Sequence, residues 1–231
     1  MTLHGHVFTA PDGVRGFDTD QKVTPKVAAA FFAHGYRYCV RYVRRGKANA
    51  SRDLSTAEAE SLLESGLGLM VVQYVESEKS WQPTGDKGAT NGGIAATEAN
   101  AIGVPSGVML WCDLEGVDPG TAAPDVIDYC NRWHEAVAGA GFLPGLYVGW
   151  HCGLNPTQLY RSLRYTHYWA AYNLNSDQAP AMRGVQMKQS ERSPVDSVPG
   201  TTLAFQTDKV KTDALGGRPT LLAPDDWLEH S

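Results

Sequence analysis

The sequence predicts a single closed α/β barrel, a (β/α)8 fold of the TIM type. Three observations predict it. Strand-like and helix-like segments alternate from end to end, with eight extended candidates. Spread over 231 residues, eight units take about 29 residues each, close to the roughly 30 that a TIM barrel uses. The extended segments are near-continuous apolar runs, which suits a sheet buried on both faces. An open doubly wound sheet is the alternative. It wants a Gly-rich phosphate turn after its first strand, and "GFDTD" is not one. No internal repeat, low-complexity segment or linker breaks the pattern, so residues 1–231 read as one domain, with 1–12 as an N-terminal extension.

Residues 14–20, "VRGFDTD", read as the first strand. Residues 24–35 follow as a helix, with Thr24 as N-cap, Pro25 at the first helical position and Gly35 at the exit. Residues 36–43, "YRYCVRYV", are rich in β-formers. Residues 55–66 are a helix in which Ser55 and Glu58 spell a capping box. A strand is expected at 67–76, then a long polar loop, then a helix at 91–105 closed by Gly103 and Pro105. The fourth strand is "VMLWCDLEG", residues 108–116. A helix at 123–141, a strand at 143–150 and a short helix at 155–163 come next, the last with Asn155 as N-cap and Pro156 behind it. Residues 167–173, 184–190 and 202–215 supply the remaining extended pieces.

Composition removes several function classes. A net charge of −5 offers nothing to nucleic acid or to an anionic membrane surface. The densest basic stretch, "RYVRRGK", is short and reads as the cover of a strand end. No run approaches the ~18 apolar residues of a membrane span, so no membrane insertion is expected. The N-terminus lacks a signal peptide's basic start and long apolar middle. The chain is therefore expected in the cytoplasm as synthesised, with a removed signal or a dedicated secretion machine left open. Cys39, Cys112, Cys130 and Cys152 form no CxxC pair, and reduced thiols are the default reading. There is no HExxH, no GxSxG elbow and no P-loop. Neither a metal nor an organic cofactor is implied, and the oligomeric state is not legible.

In a TIM barrel the active site lies at the C-terminal ends of the strands. Those ends carry Asp18 and Asp20, Arg41, Glu76, Asp113 and Glu115, Tyr147, Trp169 and Tyr172, and then Gln189, Gln206 and Asp213. Asp113 and Glu115 are the most pointed pair. Residues i and i+2 of a strand share a face, which sets Asp113 deeper and Glu115 nearer the rim. Burial raises the pKa of the less solvated carboxyl, and a carboxylic acid kept protonated can donate to a leaving oxygen. Glycoside hydrolysis is the reaction that most often pairs Asp and Glu, with aromatic walls for the sugar. Tyr147, Trp169 and Tyr172 can be such walls or ordinary barrel filling. Trp81, in the long polar loop, is expected as a substrate platform. Any one of Asp20, Glu76 and Asp213 can equally cap a helix or pair with an Arg.

Several segments together resemble a known family. "GGIAATEANAIGVPSGVMLWCDLEG" has its small-residue helix, Gly-x-Pro-x-Gly turn and apolar strand ending in an acid. "GFDT", "GLYVGW" and "YWAAYN" are similar to its first, fifth and sixth strands. The chain thereby resembles the bacterial glycoside-hydrolase-like TIM-barrel proteins, a domain family of unknown function related to the family 25 lysozymes, which are muramidases. The resemblance implies Glu115 as general acid, Asp113 as the orienting or charge-stabilising carboxylate, Asp18 as a sugar-site acid of the first strand and Asp213 as a late-strand acid. It implies a β-linked N-acetyl amino sugar polymer such as peptidoglycan as the partner, with the acetamido oxygen as internal nucleophile. "FQTDKVKTDALGG" departs from the lysozymes' last strands. The alternatives are a carbohydrate-binding barrel without chemistry and an interaction domain of a phage or secretion apparatus.

Overall fold

The computed structural model describes residues 2–77, 79–190 and 198–229. The strands are β1 (His6–Thr9), β2 (Arg15–Thr19), β3 (Tyr38–Val43), β4 (Gly68–Gln73), β5 (Met109–Leu114), β6 (Leu143–Val148), β7 (Tyr168–Ala170), β8 (Met187–Gln189), β9 (Gln206–Val210) and β10 (Thr220–Ala223). Strands β2 to β9 close into a barrel in the order β4-β3-β2-β9-β8-β7-β6-β5, with β5 paired back onto β4. The α-helices among the described residues are α1 (Pro25–Ala33), α2 (Thr56–Glu64), α3 (Gly85–Ile102), α4 (Ala123–Gly139) and α5 (Pro156–Arg161).

The expected eight-stranded closure is present, but the last units are irregular. Strand β9 runs antiparallel to both β2 and β8. It therefore enters the barrel at the end where the parallel strands finish and runs down toward their starts. Residues 6–9, expected within an extension, form β1 and pair antiparallel with β10. Strand β10 meets β4 at Leu69, just below Val71, where β4 begins to pair with β5. This ribbon and Trp227, whose indole N–H donates to Arg37 O at 2.6 Å, close the bottom of the barrel.

Side-chain alternation sorts the core into two shells. Tyr38, Val40, Met70, Val72, Met109, Trp111, Trp169 and Met187 fill the barrel. Phe17, Cys39, Leu69, Val71, Leu110, Cys112, Leu146 and Val148 pack outward against the helices. All four cysteines are buried free thiols.

Helix α3 starts six residues before the expected 91, at Gly85 behind the N-cap Thr84. Glycines at 85, 88, 92 and 93 disguise it, since each costs about 1 kcal/mol relative to Ala in a helix. Their use is close approach to α4: a Cβ on Gly88 would lie 2.1 Å from Tyr129 O, and one on Gly92 2.7 Å from Trp133 O. The expected capping box of α2 is half formed. Ser55 accepts from Glu58 N–H, but the Glu58 carboxylate turns away to Arg41. The reciprocal box is found at α5, between Asn155 and Gln158.

Candidate active site

At the C-terminal end of the parallel strands lies a pocket of about 300 Å³. Asp18, Asp113 and Glu115 line it, with Asp20, Arg52, Tyr42, Tyr74 and Gln206 around them. Asp18 comes from β2 and Asp113 from β5. Glu115 follows two residues later, on the same side of the chain. Asp113 is 6% exposed, and Glu115 is half-buried above it. Gly116, at φ 62°, then turns the chain away.

Trp81 determines where Glu115 sits. Its indole N–H donates to Glu115 O at 2.6 Å, and its backbone N–H donates to Gly116 O at 3.2 Å. The side chain is 4% exposed and packs edge-on against Tyr129. The expectation of a sugar platform is therefore corrected. A large apolar ring in a polar loop found a buried seat, and it touches the site only through the Glu115 backbone.

Beneath the pocket a polar relay crosses the barrel. Tyr147 is paired in register with Asp113, and its hydroxyl donates to Gln189 Oε1 at 3.0 Å. Gln189 Nε2 donates to Asp18 Oδ2 at 2.9 Å and to Gln206 Oε1 at 3.0 Å. Asp18 shares a hydrogen bond with Asp208, which accepts from the Trp169 indole at 2.8 Å. Burial pushes the Asp18 carboxyl up to about 6, against the hydrogen bonds from Gln189 and Asp208 that lower it. Burial raises Asp208 further, helped by the negative charge of Asp18. Both carboxyls are thereby biased toward the protonated form. Tyr147 and Tyr42 are both raised by burial and then by the carboxylates around them.

Asp208 is the acid that sequence reasoning missed, and Asp213 is the residue named in its place. Because β9 is antiparallel, Asp208 points into the barrel and Asp213 lies past its bottom end. There Asp213 accepts from Arg183 at 2.7 Å and from the Gln186 amide. Arg41 is also corrected. It alternates with the inward Val40 and Tyr42, so it faces the helices, fully buried, and donates to Glu58 Oε1 at 2.7 Å and Thr19 O at 2.7 Å. Glu76 stands outside the pocket lining and pairs with Lys87 at 2.9 Å and Arg45 at 3.2 Å. Trp169 is wholly buried as barrel filling, 4.6 Å from the Tyr147 ring. Tyr172 is 44% exposed on the loop after β7. The rim residues Arg52, Tyr42 and Tyr74 were not anticipated. Arg52 pairs with Asp20 and covers the Tyr74 ring, which lies 4.6 Å from Tyr42.

Among the described residues no group of three or more His, Cys, Asp or Glu is arranged to hold a metal ion. No helix among them is long and apolar enough to cross a membrane. A carboxyl cluster with buried acids biased toward protonation and a half-exposed acid can protonate a leaving oxygen and stabilise positive charge.

Comparison with known proteins places the chain by family and by fold. The family model "Rv2525c-like, glycoside hydrolase-like domain" matches residues 29–203. No curated protein matches the chain in sequence. Among solved structures, the Mycobacterium tuberculosis Tat-secreted protein Rv2525c, in complex with L-tartrate, superposes with a TM-score of 0.64 at 16% identity, covering 87% of this chain and 96% of that one. An uncharacterized B. stearothermophilus protein gives 0.62 at 18% identity over 86% and 96%. The bacterial lysozyme from Streptomyces coelicolor gives 0.60 at 12% over 89% and 95%. At these identities the likeness is one of fold.

Proposed function

Because the chain belongs to the Rv2525c-like, glycoside hydrolase-like domain family, we propose that it is a muramidase-like glycoside hydrolase acting on a β-linked N-acetyl amino sugar polymer such as peptidoglycan. One observation carries this reading. Asp18, Asp113 and Glu115 converge on one pocket, with the buried carboxyl of Asp208 directly behind Asp18.

In this reading Glu115 donates its proton to the glycosidic oxygen as the C1–O bond breaks. The substrate's acetamido oxygen closes onto C1, and Asp113 stabilises the positive charge that develops there. Water then attacks C1 as the bond from C1 to the acetamido oxygen opens, and one proton of that water returns to Glu115. Burial biases the Asp18–Asp208 pair toward protonation, which limits the negative charge beside the sugar, and Gln189 keeps Asp18 turned toward it. A wall polymer lies outside the cytoplasm, so such a protein needs export, as its Tat-secreted Mycobacterium relative has.

The test is release of soluble muropeptides from purified peptidoglycan by wild type and Glu115→Gln. Release by wild type, lost by roughly 10²-fold or more in the variant, supports the hydrolase with Glu115 as its acid. Sacculus binding by both without release would replace it with a glycan-binding barrel. Neither binding nor release would remove the sugar altogether.

A further inference from the structure

Beside the acid pocket, the loop after β6 frames a second recess of about 590 Å³, a size typical of ligand sites. Gly149, Trp150, His151, Asn173 and Gln178 are among its walls, and no Asp, Glu, Lys or Arg lines it. Gly149 joins it to the acid pocket. A Cβ at that position would lie 2.5 Å from Glu115 Oε2, so the carboxylate rests on the Gly149 backbone while Gly149 also walls the recess.

The recess is preformed. Gly116 N–H donates to Trp150 O at 2.7 Å and Val117 N–H donates to His151 O at 2.9 Å, which ties its loop to the segment that carries Glu115. His151 is held in the left-handed region at φ 53°, a conformation that a non-glycine residue adopts at a cost in backbone strain. Its ring lies 3.9 Å from that of Trp150. Trp150 is 53% exposed, whereas Trp81, Trp111, Trp133, Trp169 and Trp227 are all buried. An exposed indole on a loop held by backbone hydrogen bonds, beside three side-chain amides (Asn155, Asn173 and Gln178) and no Asp, Glu, Lys or Arg among the described residues, suits a neutral ring with one C–H face and hydroxyl or acetamido groups at its edge.

We propose that this recess is a second sugar subsite. It would take a neutral N-acetylated pyranose across Glu115 from the Asp18–Asp113 pocket, with Trp150 as its stacking face and Asn173 and Gln178 at its edge. The proposal rests on the glycan reading above and extends it: the substrate is a polymer bound on both sides of the acid.

The probe is the alternating tetrasaccharide of N-acetylglucosamine and N-acetylmuramic acid, titrated into Glu115→Gln protein so that nothing turns over. Calorimetry reads the affinity. Acrylamide quenching of tryptophan emission reads Trp150, since the other five indoles are buried. The expected result is that the tetrasaccharide protects Trp150, and that adding Trp150→Ala weakens binding at least about tenfold with the melting temperature unchanged. Binding with Trp150 still fully quenchable and Trp150→Ala at equal affinity would overturn the subsite and leave the glycan reading standing. No binding by any variant would overturn both.

Discussion

Replacing Asp18 by Asn should stabilise the protein at neutral pH and change little in acid. Burial lifts the Asp18 carboxyl from its ordinary 3.8 to about 6. Between those values the folded state holds a proton that the unfolded chain releases, so stability falls as pH rises through about 6. The wild type should lose (6 − 3.8) × 1.36, or about 3 kcal/mol, on going from pH 3.5 to 7.5 through this group alone. Asn carries no such charge. Its carbonyl can still accept from Gln189 Nε2, and its NH2 can donate to Asp208, so the remaining acid ionises with less penalty. For a chain of 231 residues, about 3 kcal/mol corresponds to a melting temperature roughly 6–12 °C higher for Asp18→Asn at pH 7.5. The assay is thermal unfolding of both proteins from pH 3.5 to 7.5. A variant that is no more stable than wild type at pH 7.5, or a difference independent of pH, would refute a buried, proton-sharing pair. If the proposed hydrolase reading holds, muropeptide release should fall in the same variant, because the strain the site bears at neutral pH is the negative charge it keeps in the pocket.

Arg41→Met strands the buried Glu58 carboxylate, which keeps only the Val23 N–H, and should cost about 3–5 kcal/mol in denaturant melts. Arg41→Met with Glu58→Met should recover most of that, and activity per folded molecule should hold in the double variant. Trp81→Phe removes the hydrogen bond to Glu115 O and should lower kcat by one to two orders of magnitude, about what a misplaced acid costs, with little change in KM. An unchanged kcat would mean that packing alone holds Glu115. Gly88→Ala drives a methyl against Tyr129 O and should destabilise by about 1–3 kcal/mol, despite the better helix propensity of Ala. A more stable Gly88→Ala would refute the close approach of α3 and α4.

What the sequence made legible, and what it hid, follows strand direction. The parallel strands announce themselves as apolar runs, and each ends where a catalytic group belongs, so Asp18, Asp113 and Glu115 could be read off as strand-end acids. The same alternation that set Asp113 beside Glu115 would have turned Arg41 outward. Val40 and Tyr42 were the signal, since a residue between two inward neighbours faces the helices. Trp81 and α3 were obscured by composition. A glycine-rich helix start looks like loop, and a Trp stranded in apparent loop looks like a platform. The last error has a different cause. Nothing in "FQTDKVKTDAL" says which way the strand runs, because Gln206, Asp208 and Val210 alternate identically in either direction. Only the pairing of Asp18 with Gln206 in an antiparallel register does so. It brings the start of β9, not its end, to the pocket, and with it Asp208. Asp208 was thus inaccessible to any argument from strand ends. It became identifiable once a neighbouring strand fixed its direction, and its Trp169 partner had read as a sugar wall or barrel filling, not as a donor to a buried acid. A site built across the barrel from β2 and β9 depends on closure of the whole sheet, and closure is the part of the fold that local pattern carries least.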